Sequence, residues 1–228
     1  MSYFIDQATG FRVQVTRKRI SHIYLRVKEG KQVEVTAPAS SSQAYIASFV
    51  ASKAAWLLKH MERVPEKKEY HYIHGEVHQI LGTPYRLEVS FGKRNGFVLS
   101  NGHLLLTVAS EKTDRRRVYA EGMKKILLPL LEEMIRHWAP LMKVHPGGVS
   151  CRVLKSRWGS CQVKTGDLCF ALDLVTKPKR CIEAVVVHEL NHLLEKGHTP
   201  RFHRLMAHWL LDYKDRERLL RELPRELI

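Results

Sequence analysis

At 228 residues, 44% hydrophobic and 8% aromatic, the chain can bury one substantial core or two small ones, which excludes a disordered or fibrous protein. Its apolar runs are too short for a membrane-spanning helix, and Met1-Ser2-Tyr3-Phe4-Ile5-Asp6 lacks the charged-then-apolar layout of a secretory signal, so a cytoplasmic protein with no membrane partner is expected. The net charge of +15 and pI near 9.8 suggest a polyanionic partner. Yet the densest clusters, Arg17-Lys18-Arg19 and Arg115-Arg116-Arg117, accompany no recognised nucleic-acid module, so weak, sequence-independent nucleic-acid binding is the expectation.

The first predicted elements are a hairpin, residues 22–27 and 32–36 around Lys28-Glu29-Gly30-Lys31, and a helix capped by Ser40-Ser41-Ser42. That helix carries Ile46, Phe49, Val50 and Leu57 on one apolar face and ends before Pro65. The histidine-rich stretch 70–75 with His78 has no fixed metal spacing and reads as a surface strand or loop. Asn95-Gly96 and Asn101-Gly102 each favour a tight hairpin, so an antiparallel meander is predicted over about 79–109. From Asp114 a long helix runs to about Met142, with Pro129 as its expected kink. A strand at 149–155, a loop at 156–161 and a second strand at 168–175 follow. Cys151, Cys161, Cys169 and Cys181 match no C-x-x-C knuckle and read as reduced thiols. The class is therefore α+β: a β-rich part, residues 1–110, packed on a helical part with a small sheet, residues 111–228, as one continuous unit. No pattern in the chain specifies an oligomeric state.

The chemistry is concentrated in His188-Glu189-Leu190-Asn191-His192, preceded by Pro178 and an apolar run that would start and bury a helix. Residues four apart share a helix face, so both imidazoles can reach one metal ion about 2.0–2.1 Å away, and Glu189 is placed to hold and deprotonate a water. Beyond it, Gly197 can end the helix and Pro200 can begin another, which places His198 on the turn between them as a third imidazole. Glu195 and His203 lie near enough in sequence to compete for that third position.

Arg157-Trp158-Gly159-Ser160-Cys161, followed by the paired histidines and then His198-Thr199-Pro200-Arg201-Phe202, resembles the YgjP-like metallopeptidases, and more loosely the SprT-like proteases. The resemblance runs through the whole chain and implies a zincin-like zinc peptidase with one Zn2+ per chain. On it, His188, His192 and His198 match the metal ligands, Glu189 matches the general base, and the substrate is a peptide or protein. Two positions depart from the family pattern: His203 stands where tryptophan is usual, and Ala171 where an asparagine is often found. The strand at 168–175 is the expected edge to which an extended substrate would pair. The competing reading is a nucleic-acid-associated protein, either a SprT-like protease or a non-catalytic metal-binding adaptor.

Overall fold

The computed structural model describes residues 2–28, 32–63, 70–154 and 156–224. It is α+β, with three small mixed sheets. The chain divides into two compact units, Met1–Lys68 with Glu222–Arg225 and Glu69–Arg221 with Glu226–Ile228. This division falls well before residue 110, because the strands of the expected meander pack on the long helix that follows them.

The first unit is a sheet in the order β1 (Ser2–Ile5), β2 (Arg12–Lys18), β4 (Gln32–Pro38), β3 (Tyr24–Lys28). β3 and β4 pair antiparallel as expected, Tyr24 with Thr36 through Lys28 with Gln32, while the turn residues 29–31 lie outside the described residues. Alternation buries Val13 and Val15 on β2 and Val33, Val35 and Ala37 on β4 against Ile46, Val50 and Leu57. Each such side chain contributes roughly 1.5–3 kcal/mol on burial. The single helix expected here is two: α1 (Gln43–Ser52), capped by Ser42 Oγ accepting from the Tyr45 amide at 3.2 Å, and α2 (Ala54–Arg63). Lys53 interrupts them, its amide closing a tight turn on the Val50 carbonyl at 2.9 Å.

In the second unit the expected antiparallel meander is a mixed sheet, ordered β5 (Val77–Ile80), β6 (Thr83–Phe91), β8 (His103–Val108), β7 (Gly96–Ser100). Asn101 and Gly102, with φ of 46° and 80°, make the predicted hairpin between β7 and β8. Asn95-Gly96 makes none: the Asn95 carboxamide accepts from the Ala109 amide at 2.9 Å, and β8 inserts parallel to β6. His78 is not at the surface either. It is fully buried in β5, stacked on Tyr70 with ring centroids 4.0 Å apart and bonded to Glu76 at 3.0 Å.

Helix α3 (Arg115–Met142) runs through Pro129 and Pro140, opened by Asp114 and closed by Lys143 in the left-handed region. Its buried stripe, including Tyr119, Met123, Leu127, Leu131 and Ile135, supports the third sheet and the helix behind it. That sheet is ordered β10 (Gly159–Gln162), β11 (Asp167–Ala171), β9 (Val149–Arg152). β11 is paired on both sides, antiparallel to β10 and parallel to β9, and from Leu172 the chain winds into a buried 3-10 turn. The strand expected to present an edge is therefore central, and the edges belong to β10 and β9. Among the described residues no helix is long and apolar enough to cross a membrane.

Candidate active site

Helix α4 (Lys179–Asn191) begins after Pro178 and buries Cys181, Ile182, Val186 and Leu190. Glu183 fixes it laterally, accepting from Trp138 Nε1 of α3 at 3.0 Å and from the Arg216 guanidinium of α6 (Tyr213–Glu222). Regular helix stops at Asn191, well before Gly197. Hydrogen bonds to carbonyls three residues back then carry the chain through Leu194. Gly197 has no positive φ, and a Cβ there would meet only Thr199 Cγ2 at 3.7 Å, so the backbone does not demand a glycine at this turn. Helix α5 (Pro200–Trp209) starts as its sequence predicts, with Thr199 Oγ1 accepting from the Phe202 amide at 3.3 Å. Buried Asn191 donates to the Phe202 carbonyl at 3.1 Å, which ties the start of α5 to the end of α4 and so fixes the turn bearing His198.

These restraints bring His188, His192 and His198 together, with one ring nitrogen from each lying within 4.8 Å of the others. His188 Nε2 and His198 Nε2 are 2.9 Å apart. The three ring centroids form a nearly equilateral triangle with sides of 5.0, 4.9 and 4.9 Å. The buried ring of Phe202 sits at 4.8–4.9 Å from all three, an apolar support that holds the imidazoles in a cluster. His192 Nδ1 donates to the Glu195 carbonyl at 3.3 Å, which leaves its Nε2 lone pair available. Burial, aided by the neighbouring imidazoles, pushes His188 down to about 3, and burial also lowers His192, so both are neutral at pH 7. Tetrahedral ligands at about 2.0–2.1 Å stand about 3.3 Å from one another, so three imidazole nitrogens gathered this closely suit one first-row divalent ion.

The two competing residues stand outside the cluster of three. The Glu195 carboxylate pairs with Arg201 at 3.4 Å, and His203 is exposed on α5, outside the cluster, with its ring 5.8 Å from that of Phe202.

Glu189 is only 5% exposed. Burial pushes its carboxyl up to about 7, against the pull of the Arg157 charge. Its side chain occupies the space beside Gly159: a Cβ added at Gly159 would stand 2.6 Å from Oε1 and 2.8 Å from Cγ. The glycine of the Arg157-Trp158-Gly159 loop thus lets the edge strand β10 touch the acid. The next thiol along, Cys161, is pushed up to about 11 by burial and then by the Glu189 charge.

These groups open into a cleft of about 620 Å3. Its floor is one stripe of α4, in which Ala184 and Val185 continue the face of His188, Glu189 and His192. Arg157, Trp158 and β10 form one wall. Trp158 also packs on the core, with Lys177 Nζ 5.7 Å from its ring centroid, so it is both wall and support. The opposite wall, Glu217, Leu220 and Arg221 of α6, escaped sequence reasoning, although their three-and-four spacing is that of one helical face. Gly159 and Phe202 stand in the quoted motifs, but their roles are not legible there, since each acts through a contact formed only on folding. Ala171 is fully buried, its amide bonded to the Trp158 carbonyl at 2.8 Å.

Among solved structures, the chain is similar to the metallopeptidase zymogen abylysin of Pyrococcus abyssi, at 20% identity and a TM-score of 0.38 over 43% of this chain and 99% of that one, a likeness too slight to carry an argument. No curated protein matches. The model of the YgjP-like metallopeptidase domain matches residues 21–223, which takes in the cleft, the histidine cluster and most of the first unit, and the chain belongs to the YgjP-like metallopeptidase family.

Proposed function

We propose that this metallopeptidase uses one zinc ion per chain, held by His188, His192 and His198, with Glu189 as the general base of peptide hydrolysis. The observation that carries the reading is the convergence of three imidazoles and a buried carboxylate in one cleft. A bound zinc supplies a Lewis acid for the scissile carbonyl and lowers the pKa of a water ligand towards about 7. Glu189 shares the cleft with the three imidazoles and its carboxyl is raised by burial, which favours its taking the proton from the attacking water and returning it to the leaving amine. Arg157 lines the same cleft, and its positive charge, already felt by Glu189, would favour the negative charge that develops on the carbonyl oxygen.

The substrate is an extended peptide. β10 has a strand partner on one side only and passes directly against Glu189 at Gly159, so a peptide added to its outer edge would lie beside the reacting groups. Ala184, Val185 and Leu220 favour an apolar side chain in the cleft, and Arg157, Lys196 and Arg221 favour acidic neighbours. The four cysteines are free thiols, three with pKa raised chiefly by burial. The test is Glu189→Gln in zinc-loaded protein against a peptide library. Cleavage should vanish while one zinc per chain is retained, and persistent cleavage would remove Glu189 from the base role.

A further inference from the structure

Residues 1–68 carry twelve Lys and Arg against five Asp and Glu, a basic excess on the unit that holds none of the cleft residues. The core of that unit accounts for one face of its sheet, where Val13, Val15, Val33 and Val35 meet α1 and α2. The alternate residues form the other face. In one row across it stand Tyr3, Gln14, Glu34 and Arg26. The next row holds Thr16, Thr36 and Tyr24.

Two large rings are thus left in solvent, Tyr3 at 50% exposure and Tyr24 at 49%. They occupy the outer strands β1 and β3, three interstrand spacings or about 14 Å apart, with hydroxyl and amide side chains between them. The Arg12 guanidinium lies 4.3 Å over the centre of the Tyr3 ring, which orients the ring and adds positive charge beside it. Arg12, Lys18 and Arg26 are exposed on this face, and Glu34 is the only acid among its described strand residues.

We propose that this open face binds single-stranded nucleic acid, with bases stacking on Tyr3 and Tyr24 and phosphates meeting Arg12, Lys18 and Arg26. Charge alone would accept any polyanion. Exposed rings on a broad sheet select a strand whose bases are already unstacked, whereas a duplex keeps its bases inside and offers such a face only its backbone. Stacking is tolerant of sequence, because every base has a π face, and the neutral Gln and Thr side chains between the rings add hydrogen bonding without a fixed code. The proposal goes beyond peptide hydrolysis and uses none of the groups that perform it.

The probe is a fluorescein-labelled oligothymidylate about 20 nucleotides long, titrated with the full chain at low salt and followed by anisotropy. Oligouridylate is run in parallel to distinguish DNA from RNA, and tighter binding of either one supports the proposal. Affinity should fall steeply with salt, and the corresponding duplex should bind more weakly. Tyr3→Thr and Tyr24→Thr keep strand-forming residues at exposed positions, so the fold survives, and each should weaken binding by about fivefold or more. Tyr24→Phe should bind like the parent, and Arg26→Gln should lower the salt slope by about one phosphate contact. Threonine variants that bind as tightly as the parent would overturn the proposal, since the attraction would then be charge alone. A preference for duplex would overturn it too.

Discussion

Replacing Gly159 by alanine should uncouple peptide hydrolysis from metal retention. The new Cβ would stand 2.6 Å from Glu189 Oε1, 2.8 Å from Cγ and 2.9 Å from Cδ, where ordinary contact between such atoms is about 3.5 Å. The carboxylate or the strand must therefore give by most of an ångström. Glu189 is almost fully enclosed, so it has little room to retreat, and its α4 backbone is held by the Glu183 contacts to α3 and α6. Accommodating one methyl in such a site costs about 1–3 kcal/mol of stability. A misplacement of about 1 Å in a catalytic group costs about 100-fold in rate, and kcat/KM for a cleaved peptide should fall by that factor. The three atoms nearest the new Cβ all belong to Glu189 and none to an imidazole, so the metal content measured by elemental analysis should be unchanged. Shortening the acid relieves the collision, and Gly159→Ala with Glu189→Asp should lose less activity than the two single losses multiplied. A kcat/KM within about twofold of the parent, or loss of metal together with activity, would refute the reasoning, because the glycine would then serve the fold rather than the carboxylate.

Two further outcomes follow from the same geometry. His198→Ala should bind less than about half an equivalent of zinc while His203→Ala keeps its metal, and the reverse result would move the third ligand to α5. In the metal-free protein, His188, depressed to about 3, makes stability rise with pH between about 3 and 6.5, because the unfolded chain binds the extra proton there. Glu189, raised to about 7, acts oppositely and removes stability as pH climbs from about 4.5 to 7. Thermal unfolding of metal-free Glu189→Gln should therefore rise more steeply than the parent's between about pH 4.5 and 6.5, by up to roughly 1.4 kcal/mol per pH unit, and equal slopes would contradict the opposition.

The histidine cluster was legible because its information is local: a four-residue spacing fixes one helix face, and the Thr199-Pro200 start of α5 fixes where the intervening turn ends. Gly197 was read with the wrong reason. The helix end it was credited with comes earlier, at Asn191 and the tight turn through Leu194, and His198 is held in place by the Asn191 bond to Phe202. Strand order was less legible. Asn95-Gly96 carries the same dipeptide signal as Asn101-Gly102, and what separates them is the long-range bond from Ala109 to the Asn95 side chain. The inversion of edge and centre between β10 and β11 has a similar origin. Leu168 and Phe170 are apolar enough for an interior strand, but only pairing with β9 makes β11 central. The walls of the cleft depend on where α6 lands, and that is fixed by Arg216 reaching Glu183 across a separation of 33 residues.

Burial links these elements, because it moves the two kinds of site group in opposite directions. The enclosure that pushes His188 down to about 3 pushes Glu189 up to about 7. In open solvent the carboxylate would be too weak a base at neutral pH, and a surface imidazole would be partly protonated and less ready for a cation. On the proposed roles desolvation suits both groups at once, and the cluster gains a contact of its own, His188 Nε2 standing within hydrogen-bonding distance of His198 Nε2 at 2.9 Å. Phe202 beneath the rings and the Asn191 bond to its carbonyl hold that arrangement before any ion arrives. On the proposed ligand set the cluster is formed in advance of the ion, and an ion that binds only the folded chain would stabilise that chain by linkage.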